Sequence, residues 1–238
     1  MMHKGLSLAM LGSVLLFAGC VNTPEDVVPS ASQHLDTQQL KSASEAFKDE
    51  YESLNASGVV FMEVPSDITI YSLDFSQTQE FLTKGTGILY FGFPTCPWCR
   101  NLLPELFTTM QKNQISDLYY FNPKSIRDKK TLDEDGQIVV EIPTSDEYQR
   151  LLDTLGERLP EYKELNDPKL RRLYVPFVVF VKDGKILADH LSTLDEQIDP
   201  TIPLTAEQKK KLITILTTKM MPLVGETCAI SATPSESC

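Results

Sequence analysis

"YFGFPTCPWCRNLLPEL", residues 90–106, carries two of the five cysteines of this 238-residue chain, Cys96 and Cys99. A Cys-x-x-Cys pair can be half of a zinc site, a structural disulfide or a redox pair. What flanks it narrows the choice. Upstream, "GILYFGF" (87–93) is an unbroken apolar and aromatic run, as expected of a strand buried on both faces. Downstream, Leu102, Leu103, Leu106, Phe107 and Met110 recur at helical spacing. Pro97 suits the first helical position, where no N–H is needed. Cys96 therefore falls at the cap and Cys99 one turn inside. The first turn of a helix offers unpaired N–H groups and positive potential, which favour a thiolate. Cys96 is the expected attacking thiolate, exposed at the corner, and Cys99 the more buried resolving thiol.

Zinc needs further ligands of matching type. The three histidines are His3, His34 and His190, and Cys228 and Cys238 stand ten residues apart, which is not a zinc-knuckle spacing. No metal and no organic cofactor is expected. The formal charge of −11 speaks against a nucleic-acid partner, which requires a basic stripe.

Outward from the pair, residues 41–54 read as a helix, 58–65 ("GVVFMEVP") and 68–73 ("ITIYSL") as strands. Residues 75–85 read as a helix closed by Gly85 in the left-handed conformation. "DLYYFN" (117–122) reads as a buried strand, with Tyr119, Tyr120 and Phe121 in the core. "DEDGQIVVEIP" (133–143) is a hairpin arm or an excursion, and 145–165 an amphipathic helix broken near Gly156–Pro160. "YVPFVVFVKDGKILADHL" (174–191) is a hairpin turning at Asp183-Gly184. Residues 205–221 form an amphipathic helix that Thr205 caps, with Gln208 three residues on. The order predicts an α/β fold, a mixed sheet covered by helices.

The block from "GILYFGFPTCPWC" to "VPFVVFVKDGKI" resembles the thioredoxin superfamily. CPWC between strand and helix, Pro104 eight residues after Cys96, and Pro176 in "YVPFVVFVKDG" carry the resemblance. It implies a thioredoxin-like mixed sheet flanked by helices, with a helical insertion between the CxxC helix and the cis-proline strand. It further implies a cis Val175–Pro176 bond facing the sulfurs, and a Val175 backbone that pairs with bound peptide. Trp98, between the cysteines, is expected to be an exposed contact for partner chains. A narrower resemblance is to the thioredoxin-family bacteriocin transport accessory proteins of Gram-positive bacteria. Three departures stand out: Tyr90 where many thioredoxins have a proton-shuttling Asp, Thr95 before Cys96 in place of Trp, and Ser192 in place of a Gly. Cys99 and Pro176 lie 77 positions apart, so residues 125–159 read as an insertion, of the kind that often shapes a substrate groove.

Arg100 reads either as a thiolate stabiliser or, more simply, as a solvated helix position. His190 reads as an acid–base group or a structural residue, the latter preferred.

The N-terminus resembles the lipobox of bacterial lipoproteins: "MMHK", an apolar stretch, then "LFAGC" ending at Cys20. Phe17 stands where that motif most often has Leu; the plainer reading is a secretory signal with a chance Cys. The expected organisation is a signal peptide (1–19), a lipidated tether (20–40), a thioredoxin-like domain (41–225) and a Cys-containing tail (226–238). The tether's flexible residues span about 25 Å. With Cys20 lipidated, four thiols remain, and Cys228 with Cys238 form a structural disulfide or an electron relay.

The sequence thus predicts a lipid-anchored extracytoplasmic thiol–disulfide oxidoreductase. Its expected partners are exported proteins or peptides and a membrane redox partner. A reductase of exported thiols, of the cytochrome-maturation type, and a non-enzymatic module for bacteriocin or peptide export are the alternatives.

Overall fold

The computed structural model describes residues 37–224, with side chains from residue 41. The signal peptide, the lipidation of Cys20, the tether and the Cys228–Cys238 bridge lie outside the described residues.

Five strands form one mixed sheet: β1 (Thr69–Ser72), β2 (Gly87–Phe91), β3 (Asp117–Phe121), β6 (Phe177–Lys182) and β7 (Lys185–Leu191), in the order β1-β3-β2-β6-β7. The β1–β3 and β3–β2 pairs are parallel; β2–β6 and β6–β7 are antiparallel. "GILYFGF" thus holds the centre of the sheet, which is why it is apolar throughout.

Period-two alternation assigns each strand's side chains to two layers. Ile88, Tyr90, Leu118, Tyr120, Val178 and Phe180 pack with helices α1 (Thr37–Glu52), α3 (Pro97–Lys112) and α5 (Ala206–Val224). Leu89, Phe91, Tyr119, Phe121, Phe177 and Val179 pack with α2 (Phe75–Lys84) and α4 (Asp146–Leu155). The result is three layers with the sheet in the middle.

The local signals match the chain's behaviour at several points. Thr205 and Gln208 exchange side-chain and backbone hydrogen bonds at the start of α5. Asp183 and Gly184 both take positive φ in the β6–β7 turn, as a two-residue type I′ turn requires. Gly184 is needed twice over, since a Cβ there would sit 1.9 Å from the Thr83 carbonyl oxygen.

Four expectations are corrected, besides the exposure of Cys96, which follows with the site. Residues 58–65 form no strand, although Val60, Met62 and Val64 are buried and Val59, Phe61 and Glu63 exposed. The side chains alternate as a strand's would, but among the described residues no strand pairs with the segment; side chains bond its backbone instead. Asn55 both donates to the Met62 carbonyl and accepts from its N–H, and Glu52 accepts from Val64 N–H. Gly85 is not left-handed: its φ is −76°, and its lack of a Cβ makes room for Phe81, 2.6 Å from the position such an atom would take. The insertion is not simply helical. It opens with an exposed two-stranded hairpin, β4 (Lys129–Leu132) with β5 (Ile138–Ile142), before reaching α4. Tyr148, Leu151 and Leu155 then bury α4 in the second core. Arg100, the last, is treated with the site it adjoins.

Among the described residues no helix is long and apolar enough to cross a membrane.

Candidate functional site

Cys96 is the N-cap of α3, and Pro97 begins the helix. The cap backbone is extended (φ −82°, ψ 116°), so the helix's free N–H groups turn toward the Cys96 sulfur. Cys99 N–H donates to Cys96 Sγ at 3.2 Å. The Val175–Pro176 peptide bond is cis, and Cys96 Sγ donates to the Val175 carbonyl oxygen at 3.6 Å. Residues 79 positions apart in sequence thus meet at one sulfur. Cys96 N–H is itself held by the Phe93 carbonyl at 3.1 Å.

The two cysteines stand as free thiols in different surroundings. A hydrogen bond from the Cys99 thiol lowers the Cys96 thiol below its ordinary value; the N–H groups of Cys99 and Trp98 and the Arg127 charge act the same way, against burial. Burial pushes Cys99 well above its ordinary value, helped by the neighbouring Cys96 sulfur. The two shifts run in opposite directions, so Cys96 is the more acidic thiol of the pair and ionises before Cys99. Cys96 is only 5% exposed, far less open than the corner position led us to expect. Trp98 is half-buried and packs against the first core.

Tyr90 occupies the interior behind Cys99. It is fully buried, and its hydroxyl lies 2.9 Å from that of Tyr51, on α1. A hydrogen bond from the Tyr90 hydroxyl to the Cys99 sulfur holds that thiol down against its burial. Across the Tyr51–Tyr90 pair either oxygen can be the donor, and Tyr90 has one proton to give, to Tyr51 or to the sulfur. Tyr51, Tyr90 and Cys99 thus adjoin one another in the interior. Desolvation raises both phenols well above the ordinary tyrosine value, so both stay neutral donors. Gly92 makes the arrangement possible: a Cβ at that position would sit 1.9 Å from the Tyr90 hydroxyl oxygen.

Arg100 is neither solvated nor aimed at a thiolate. It is fully buried and donates to the Val60 carbonyl (2.7 Å), the Tyr51 carbonyl (2.8 Å) and Asn55 Oδ1 (2.5 Å). It clamps the unpaired 51–62 segment to the CxxC helix, and so fixes Tyr51 where it meets Tyr90.

His190 pairs with Val178 in the β6–β7 ladder, and Val178 with Tyr90. It is 7% exposed, its Nε2 has no hydrogen-bond partner, and burial with nearby Lys219 lowers its pKa to about 4. It is therefore neutral at ordinary pH. Tyr119, Tyr120 and Phe121 are buried as expected.

Sequence reasoning missed Tyr51, Gly92 and Arg127 as parts of this site. Tyr51 showed only as an apolar helical position; nothing local linked it to Tyr90. Among the described residues no group of His, Cys, Asp and Glu is arranged to hold a metal ion.

A Cys96–Cys99 pair at a helix start, beside a mixed five-strand sheet, is suggestive of a thioredoxin fold. No protein-family model matches the chain, and no curated protein matches it. Chemically, a stabilised thiolate backed by a protonated thiol can accept and return a disulfide.

Proposed function

We propose that the protein is a thioredoxin-like thiol–disulfide oxidoreductase, anchored by lipid at Cys20 outside the cytoplasm and acting on exported proteins or peptides. The observation that carries this reading is the unequal thiol pair. Cys96 sits at a helix cap against the Val175 carbonyl, and Cys99 lies behind it on the Tyr90 hydroxyl. "LFAGC" at residues 16–20 supports the location.

The oxidising direction fits the electrostatics best. A lowered Cys96 thiol stabilises the reduced protein, and a pair whose reduced form is stabilised is an oxidant. In the forward reaction a substrate thiolate attacks Cys96 Sγ of the Cys96–Cys99 disulfide. The S–S bond breaks and Cys99 leaves with its electron pair, receiving the Tyr90 hydrogen bond. A second substrate thiolate attacks the substrate sulfur of the mixed disulfide and releases Cys96 as a thiolate. The substrate loses two electrons and gains a disulfide; the protein gains a dithiol. A membrane disulfide partner then reoxidises it by the reverse exchange. Val175 offers its backbone to the incoming peptide, and Trp98 its ring.

Two measurements test this. Equilibration in thiol–disulfide buffers should give a potential clearly more oxidising than thioredoxin's, which is about −270 mV; a value near thioredoxin's rejects the oxidant direction. Cys99→Ala should accumulate mixed disulfides with exported proteins. If it traps nothing and Cys96→Ser keeps the cellular phenotype, a non-enzymatic module takes the place of the redox reading.

A further inference from the structure

Beside the cysteine pair lies a pocket of about 230 Å³ whose lining is unlike the rest of this acidic chain. Phe93 forms one wall, and Lys124, Arg127, Lys129 and Arg172 project charge into it around Asp128. The pocket adjoins the redox site on two sides. The Phe93 carbonyl holds the Cys96 N–H, and Arg172 lies three residues before Val175, whose carbonyl touches Cys96 Sγ. The Arg127 charge is close enough to act on the Cys96 thiol.

Its positive charge is not neutralised from within. Asp128, almost wholly buried, is shared by Lys130 at 2.9 Å, Arg172 at 3.8 Å and the Thr144 hydroxyl at 2.9 Å. Lys129 pairs with Glu141 at 2.5 Å. Two carboxylates therefore stand against five cations. Lys124 lies over the Phe93 ring, 5.5 Å from its centre, and has no acidic partner among the described residues. Arg127 has none either, and its Nε is buried without a hydrogen-bond partner. The Arg172 guanidinium lies over the Tyr162 ring, 4.3 Å from its centre, and feels the like charge of Arg127. Asp128 Oδ1 also lacks a hydrogen-bond partner, but that carboxylate already has Lys130 and Arg172 against it, so the buried Arg127 donor, among like charges, still wants an anion. The cleft focuses this field because its walls are of low dielectric.

We propose that this pocket receives the carboxylate of an Asp or Glu side chain flanking the reactive cysteine of the peptide substrate, with Arg127 as its principal partner. The inference rests on the redox reading above and names the substrate class: cysteine peptides with acidic neighbours. Phosphate-sized free anions satisfy the same donors, but only a carboxylate on the substrate couples binding to exchange at Cys96. The preference must be local, because the −11 charge of the whole chain repels an acidic peptide at long range.

The test uses the oxidised full-length protein and two cysteine peptides identical except for Glu or Gln on either side of the cysteine. Each rate of exchange is divided by the same peptide's rate with uncharged 2-hydroxyethyl disulfide, which removes the effect of flanking charge on the peptide thiol. The Glu peptide should react on the order of ten-fold faster, the value of one charge-assisted hydrogen bond. In Arg127→Gln the ratio of the two peptides should fall toward one; using the ratio cancels whatever Arg127 does to Cys96 itself. Equal rates in the unaltered protein overturn the proposal, and so does a ten-fold ratio that survives Arg127→Gln. Exchange with neither peptide is a different failure: it sinks the redox reading and this inference with it.

Discussion

Replacing Tyr90 by Phe removes a single oxygen from the sulfur pair's interior side. Tyr90 and Cys99 are both fully buried, so no solvent replaces the lost donor. A hydrogen bond to a charged group contributes about 1.5–3 kcal/mol, so its loss pushes the Cys99 thiol further up. Its thiolate fraction falls by about ten- to a hundred-fold. Nucleophilicity rises with thiol basicity with a coefficient of about 0.4–0.5, which recovers part of the loss. The net effect on attack by Cys99 is a slowing of roughly four- to twelve-fold. The assay is stopped flow with Ellman's reagent on the reduced protein: the first thionitrobenzoate released reports Cys96, the second reports Cys99 resolving the mixed disulfide. Tyr90→Phe should slow the second phase and spare the first. Tyr51→Phe, which removes only the outer hydroxyl of the two, should slow it less. A folded Tyr90→Phe protein whose second phase runs at the original rate would refute the hydrogen-bonded role of Tyr90.

The remaining predictions concern what surrounds the pair. Arg100→Met removes three donors from two backbone carbonyls and Asn55, leaving them buried; stability should drop by about 3–5 kcal/mol. Urea unfolding measures the drop, and amide exchange should accelerate first at residues 60–64; a loss under about 1 kcal/mol contradicts the clamp. His190 titrates near 4 in the folded protein but near 6.5 when unfolded. Between those values the unfolded chain binds the extra proton, so stability is complete above pH 6.5 and is lost as pH falls through the window, by about 3 kcal/mol. His190→Phe should flatten that part of the stability–pH curve, and an unchanged slope assigns the acid sensitivity elsewhere.

Three of the corrections, those to residues 58–65, Gly85 and Arg100, share one cause. Residues 58–65 have a strand's alternation, yet whether an extended segment pairs depends on a free sheet edge, which lies outside the segment. Arg100 looked solvated because arginine usually is; its burial follows from three acceptors at positions 51, 55 and 60, each brought to α3 by the fold. The Gly85 conformation was decided by the Phe81 ring. A local pattern reports how a segment relates to water and to its own backbone, and is silent about which distant groups it meets.

The chain's own residues determined the central strand, the capped CxxC helix with Cys96 at its cap, the Asp183-Gly184 turn and the mixed α/β class, because apolar periodicity, Pro97 and turn chemistry act over a few residues. They also singled out Tyr90 as a departure, without saying what it does. Only the tertiary structure brought Tyr51 across from α1 to the Tyr90 hydroxyl, set the Val175 carbonyl 3.6 Å from Cys96 Sγ, and gathered Arg127 from the start of the insertion and Arg172 from beyond its end into one pocket. Those contacts join residues 39, 79 and 45 positions apart in sequence. Thiol acidity and substrate charge are set by fields that act across a few ångströms of space, and which charges share that space is decided by the sheet order and the packing of its two faces.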